Sequence, residues 1–305
     1  MRRSGLLPFT LAAVVLALVT ALSATTPASR TSFVELDVVA LDDQDRPVGG
    51  LKAQDFTVRE DGRPVAIANF TEVSRAGVSG RDDGRSLVLL LDDMLIPTAT
   101  TIVQSIAGRF LDRARPYDTI NVVRLTHKDD EISNNTSVAL ERIEEYRGGA
   151  LGYFGRSPVD DMLQTVARIS RSLEATSHRR TAVACIGYRS VCDPYFQIPQ
   201  ETLVWHSWRD AISAAAEAHT SVYIVDVAGV ESRVDLGAGL VEATGGEDFV
   251  RTNDFGRAAD LIWAQTGHYY LLEYTPTTKP SELHTIKVSI ARPRVHPLAR
   301  TTRGD

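Results

Sequence analysis

The sequence predicts an α/β protein in which helices cover both faces of a mostly parallel sheet. The first observation is an apolar run without alternation at residues 86–94, which ends in two adjacent carboxylates, Asp92 and Asp93. Such a run fits a strand that is buried on both faces, as at the centre of a parallel sheet. The second observation is that strand-like and helix-like segments alternate from this run to residue 266. That alternation is typical of a parallel sheet with helices on both sides.

Further strands and helices are predicted after this first strand. Short apolar segments predict strands at residues 119–125, 181–186, 221–227 and 249–250. Apolar side chains at helical spacing, together with capping residues, predict the helices between them. These helices begin near Pro97 and Ser157, cover about 203–218, end at Thr244 before two glycines, and run from Asp254 to Gln265.

Alternating apolar and polar residues predict a small antiparallel β unit at each end of this region. The N-terminal unit covers residues 30–75 and turns at Asp61-Gly62. The C-terminal unit covers residues 267–293 and is predicted to be a hairpin of strands 269–274 and 286–290. Because isolated hairpins are marginal in water, we expect the two units to pack together, with an α/β domain of residues 84–266 inserted between them.

The first 24 residues are predicted to be an export signal. Arg2 and Arg3 precede an apolar stretch at residues 6–22, and small side chains follow it. The alternative is an uncleaved N-terminal anchor, because the stretch approaches the length of a short spanning helix. We therefore expect an exported protein that is periplasmic, secreted or associated with the envelope. Contact with the membrane is expected only through an uncleaved N-terminal segment.

Composition and motifs exclude several classes of function. The chain has 305 residues, of which 43% are hydrophobic, so it can bury a sizeable core. Its net charge of -6 argues against a nucleic-acid partner, which would require a basic face. The sequence has no metalloprotease H-E-x-x-H pair, no G-x-S-x-G elbow and no phosphate-binding Gly-Lys-Ser/Thr loop. We therefore expect no enzymatic activity and no cofactor.

The two cysteines, Cys185 and Cys192, are predicted to form a disulfide. They lie seven residues apart in a chain with an export signal, so an oxidised pair would close one small loop. The alternative is one buried thiol on a strand and one thiol in a loop.

Several motifs resemble those of von Willebrand factor type A domains. The first is the strand that ends at Asp93. The second is Glu242-Ala-Thr-Gly-Gly246 followed by the tyrosine-rich segment 269–276, and the third is Val48-Gly-Gly-Leu51 followed by residues 55–62. In order and spacing, the chain is similar to exported bacterial proteins of the VWFA-related family, common in Acidobacteria. The resemblance implies a Rossmann-like domain with a six-stranded sheet, flanked by β structure, and no established reaction.

Domains of this type often bind a divalent cation at the carboxyl ends of the strands. The resemblance implies ligands from an Asp-x-Ser-x-Ser motif, a later Thr and an Asp, because Mg²⁺ prefers hard oxygen ligands. Asp92 matches the first Asp, but Met94 and Ile96 occupy the Ser positions. Ala150 stands in the loop where a Thr is expected, and Gly187-Tyr188 stands where the second Asp is expected.

These departures predict a degenerate metal site. Asp92 and Asp93 remain the candidate ligands for Mg²⁺ or Ca²⁺, and a rearranged loop would be needed to add Asp160, Asp161 or Asp193. The alternative is that Asp92 accepts hydrogen bonds from backbone amides at the start of the neighbouring helix.

The expected function is that of an exported, non-enzymatic module that binds another protein through the loops at the C-terminal edge of its sheet. The first alternative is a cation-dependent adhesion or assembly protein that uses Asp92 and Asp93. The second alternative is a hydrolase that uses the same paired acids.

Overall fold

The computed structural model describes residues 33–74, 84–133, 135–149, 157–174, 180–188, 202–232, 239–277 and 283–303. The predicted export signal and Cys192 lie outside these residues. None of the described helices is long and apolar enough to span a membrane.

A parallel sheet forms the centre of the α/β region. Its strands are β5 (Ser86–Leu91), β6 (Thr119–Arg124), β7 (Thr181–Gly187), β8 (Thr220–Asp226) and β9 (Asp248–Phe249). They are ordered β6-β5-β7-β8-β9, and every neighbouring pair is parallel. The predicted α/β class and parallel sheet are confirmed, with five strands among the described residues. The resemblance implies a sixth strand, which is not found in the parallel sheet among the described residues.

Helices cover both faces of this sheet. They are α1 (Thr100–Arg113), α2 (Thr136–Glu145), α3 (Pro158–Glu174), α4 (Leu203–Glu217), α5 (Leu240–Thr244) and α6 (Phe255–Gln265). Leu87, Leu89 and Leu91 of β5 pack on the side of α1, α2 and α6. Val88 and Leu90 pack on the side of α3, α4 and α5. Both faces of β5 are therefore apolar, which explains the run without alternation.

Strands from both ends of the chain form two antiparallel sheets. The strands are β1 (Val34–Leu41), β2 (Phe56–Glu60), β3 (Arg63–Val65), β4 (Ile67–Ser74), β10 (His268–Tyr274), β11 (His284–Ile290), β12 (His296–Ala299) and β13 (Thr302–Arg303). One sheet has the order β12-β1-β10-β4 and the other β13-β11-β2-β3. Apolar side chains of both sheets, such as Leu36 and Tyr270 from one and Phe56 and Ile286 from the other, share one core. We call this pair of sheets the β-sandwich.

The predicted hairpin of residues 269–274 and 286–290 is wrong. β10 lies between β1 and β4, whereas β11 lies between β13 and β2 in the other sheet. Tyr270 and Leu272 of β10 and Ile286 of β11 are buried in one core, and placing the strands in facing sheets lets these apolar side chains cover each other. β12 and β13 extend the β structure beyond residue 293, where the sequence predicted its end.

Candidate functional site

The candidate site lies at the edge of the parallel sheet where β5, β6 and β7 end. Asp92 and Asp93 directly follow β5, Thr126 and His127 follow β6, and Tyr188 follows β7. Because neighbouring parallel strands point the same way, these residues are brought to one edge. Both carboxylates are only 1% exposed.

Both side-chain oxygens of Asp92 accept hydrogen bonds from backbone N–H groups of the protein. Oδ1 accepts a hydrogen bond from the backbone N–H of Met94 over 3.1 Å, and Oδ2 accepts one from the backbone N–H of Tyr188 over 3.5 Å. The hydroxyl of Tyr146 donates to the main-chain carbonyl of Asp92 over 2.8 Å. Burial raises the pKa of the Asp92 carboxyl to about 6, although both backbone hydrogen bonds act in the opposite direction.

Asp93 joins the end of β5 to the end of β6. Its Oδ1 accepts a hydrogen bond from the backbone N–H of Thr126 over 3.0 Å. Its Oδ2 accepts one from Thr126 Oγ1 over 2.5 Å and lies 3.0 Å from His127 Nδ1. The carboxylate therefore has polar partners for both oxygens, although its side chain is almost completely shielded from water.

The residues at this edge do not fit the metal motif described above. Met94 and Ile96 supply no hard oxygen ligand from their side chains, and Gly187 and Tyr188 follow β7 without a carboxylate. Each oxygen of Asp92 and Asp93 already accepts a hydrogen bond within the protein, so fewer lone pairs are left for a cation. Within the described ranges, no three His, Cys, Asp or Glu side chains are grouped so that they could hold a metal ion.

The other candidate carboxylates have different partners. Asp160 accepts hydrogen bonds from Ser207 Oγ over 2.5 Å and from Gln164 Nε2 over 2.9 Å. Asp161 Oδ1 lies 3.5 Å from Lys128 Nζ. Asp193 lies outside the described residues. Neither described carboxylate, Asp160 or Asp161, therefore completes a group of three potential ligands with Asp92 and Asp93.

Apolar side chains are exposed on segments that follow β5 and β8. Ile96 is 57% exposed just before the 3₁₀ turn Pro97–Ala99, and Val230 is 62% exposed in the 3₁₀ turn Gly229–Glu231 that follows β8. The backbone N–H of Val230 donates to Asn253 Oδ1 over 3.2 Å. Asn253 and the partly exposed Ile102 line one cavity of about 350 Å³ between α1 and the start of α6. We call Ile96, Ile102 and Val230 the apolar rim.

Three site residues were missed by the sequence reasoning. Thr126 and His127 contact Asp93, and Tyr146 contacts the main chain of Asp92. The signal that could have found the first two is their position, since polar side chains that follow a neighbouring parallel strand meet at the same edge. Tyr146 gives no such signal, because it follows a helix.

Cys185 lies in β7 and is completely buried. Cys192 lies outside the described residues. The disulfide between them therefore stays a prediction.

Comparisons with known proteins do not assign this chain to a family. No family model matches it, and no curated protein matches it in sequence. A solved structure that matches is that of the human COPII-coat protein Sec24c, with a TM-score of 0.36 and 8% identity. The match covers 72% of this chain and 44% of that chain, so this chain spans less than half of that protein's length. Similarity at this level supports no conclusion about function.

Proposed function

We propose that this chain is an exported, non-enzymatic module that binds another protein through the C-terminal edge of a von Willebrand factor type A-like domain. The observation that carries the proposal is the exposure of Ile96. It occupies the second position at which the resemblance expects a metal-binding serine, and it is 57% exposed. An apolar side chain that is exposed in the free protein contributes binding energy when a partner covers it.

The apolar rim supplies binding energy without a metal ion. Ile96 and Val230 are largely exposed, and covering what remains exposed of one such side chain contributes less than full burial, which contributes about 1.5–3 kcal/mol. Ile96 caps the 3₁₀ turn that leads into α1, and Val230 lies in a 3₁₀ turn after β8, so both are held in place before binding. A partner therefore loses little of this energy to the ordering of loops.

The hydrogen bonds of the two carboxylates favour this proposal over the alternatives. A cation-dependent adhesion protein needs carboxylate oxygens that face an open coordination site. A hydrolase needs a carboxyl group that reaches its substrate. Asp92 and Asp93 are instead buried and accept hydrogen bonds from backbone and side-chain donors.

The experiment is affinity capture from the native envelope fraction, read by mass spectrometry. The full chain, its Ile96→Asp variant and a Leu140→Asp control are compared, each with and without EDTA. Leu140 is 48% exposed on α2, so the control places the same charge at a similarly exposed apolar position outside the rim.

We expect one set of proteins to be recovered with the unaltered chain and with Leu140→Asp, to be lost with Ile96→Asp, and to be unaffected by EDTA. Equal recovery with all three proteins would contradict a role for the rim. Loss on addition of EDTA would favour the cation-dependent alternative.

A further inference from the structure

β4 is a long strand at the edge of the β-sandwich. It pairs with β10 from Ser74 opposite His268 to Ile67 opposite Tyr274, with an irregularity that leaves Ala68 outside the ladder. Among the strands that the structure describes, none pairs with the other side of β4. Within the described residues, the N–H and C=O groups on that side therefore have no strand partner, and such an edge is a template for strand pairing.

The other edge strands are blocked by identifiable features. At the edge of the parallel sheet, the side chain of Arg142 donates to the carbonyl of Val122 in β6 over 2.7 Å. In the same strand, the backbone N–H of Arg124 donates to Asp130 Oδ2 over 3.0 Å. β3 and β12 are short and contain a proline, and β9 and β13 have two residues each. Proline, shortness and side chains that occupy the backbone groups all prevent pairing with another chain.

In the part of the chain that the structure describes, β4 has none of these protections. It has eight residues, without proline, lysine or arginine. Its single charged side chain, Glu72, already accepts a hydrogen bond from the backbone N–H of Gly50 and lies 2.8 Å from His268 Nε2. Phe70 packs against Phe56 and Tyr270, with each pair of ring centroids 5.5 Å apart. These contacts hold the strand in place, so pairing requires little further ordering.

The near-neutral sequence of β4 favours a second copy of the same strand as its partner. When two identical antiparallel strands are related by a two-fold axis, one residue of the strand lies opposite the same residue of the second copy. If that residue is Phe70 or Thr71, the Glu72 side chains of the two copies are not opposite each other, and β4 has no other charge to repel the second copy. We propose that β4 pairs antiparallel with β4 of a second copy, which joins two four-stranded sheets into one continuous sheet.

A matched pair of lysine substitutions tests this proposal on the full chain. Thr71→Lys places a positive charge in the middle of β4, where the two copies would bring like charges together. Thr57→Lys places the same charge at an exposed position of β2, which lies inside the other sheet. We expect dimers by sedimentation velocity for the unaltered chain and for Thr57→Lys, and monomers for Thr71→Lys with an unchanged circular dichroism spectrum.

Hydrogen exchange provides a second measurement that does not depend on the folding of a variant. In the unaltered chain, we expect protection of amides within residues 67–74 to increase with protein concentration. A monomer at all concentrations would overturn the proposal. So would dimers that persist in Thr71→Lys, because the interface would then lie elsewhere. Protection of β4 that does not depend on concentration would show that the chain itself covers this edge, which would also overturn it.

Discussion

Thr126 Oγ1 donates a hydrogen bond to Asp93 Oδ2 over 2.5 Å, so a buried carboxylate connects the ends of β5 and β6. The backbone N–H of Thr126 donates to the other oxygen of the same carboxylate. This pair gives Asp93 a structural role at the edge where the proposed partner binds.

Thr126→Val is expected to destabilise the protein, because it removes one hydrogen bond from a buried charge while keeping the shape of the side chain. Hydrogen bonds to charged groups contribute about 1.5–3 kcal/mol. Urea denaturation would measure this loss in the free energy of unfolding. Thr57→Val, at an exposed position of β2, is the control and should change the free energy by less than about 0.5 kcal/mol. Equal effects of the two substitutions would contradict the role of Thr126.

His219 is expected to make stability depend on pH. Its Nδ1 lies 3.4 Å from Asp37 Oδ2 and its Nε2 lies 3.2 Å from Glu35 Oε2, both on β1. The hydrogen bond with Asp37 raises the pKa of His219 above its ordinary value of 6.5, although burial acts against this. The folded state therefore binds the proton more tightly than the unfolded state. The resulting stabilisation is fully present below the unfolded pKa and is lost as the pH rises through the folded pKa.

The measurement compares the free energy of unfolding at about pH 6 and about pH 9 for the unaltered chain and His219→Asn. Asn tolerates the positive φ of 49° at this position. The pKa values of Asp92 and Glu247 are also raised, so these groups also make the free energy of unfolding fall as the pH rises. They do so in both proteins, and the difference between the two pH slopes therefore comes from His219. A slope unchanged by the substitution would exclude His219 as the source.

Removing one partner of the Glu60–Arg303 ion pair in the β-sandwich is expected to lower the free energy of unfolding more than replacing both partners. Arg303 Nε lies 3.2 Å from Glu60 Oε1, and both side chains are almost fully buried. Glu60 also accepts hydrogen bonds from the backbone N–H and hydroxyl of Thr277. Arg303→Met alone leaves a buried charge without its ion-pair partner and should cost about 3–5 kcal/mol.

Adding Glu60→Gln to Arg303→Met should recover part of that stability in urea denaturation, since the second change removes the charge left behind. The single variant Glu60→Gln supplies the remaining corner of the double-mutant cycle. Additive effects of the two substitutions would show that the two side chains do not interact.

Two glycines are expected to respond in opposite ways to alanine. At Gly246, which follows α5, a Cβ atom would lie 1.8 Å from the backbone oxygen of Val222, so this segment and β8 would have to separate. At Gly108, inside α1, a Cβ atom would meet no other atom within 4 Å. Gly108→Ala should therefore raise the free energy of unfolding by about 0.5–1 kcal/mol, whereas Gly246→Ala should lower it. Thermal melting of both variants checks the two signs, and a stable Gly246→Ala protein would contradict the close approach.

The sequence was sufficient to predict elements that are determined by neighbouring residues or that are apolar on both faces. The run from Leu87 to Leu91 predicted a doubly buried strand, because both of its faces meet helices. Thr244 was correctly predicted to end a helix, and Gly245 after it adopts the left-handed conformation, with a φ of 76°. Such signals depend on a few neighbouring residues and not on how distant segments pair.

Pairing between distant segments was less predictable. The residue patterns of β10 and β11 predict two strands, but they do not show which sheet each strand joins. In the same way, nothing near Asp93 in the sequence identifies Thr126 as its partner, because the contact depends on the order of strands in the sheet.

The most direct test of the account is the effect of divalent cations on thermal unfolding. The full chain is melted with EDTA, with Mg²⁺ and with Ca²⁺, beside Asp92→Asn and a control, Asp129→Asn, in which the altered carboxylate is exposed. Because Asp92 and Asp93 accept hydrogen bonds within the protein, we predict the same melting temperature for the unaltered chain in all three solutions. A rise in melting temperature with either ion, abolished by Asp92→Asn and kept by Asp129→Asn, would contradict it.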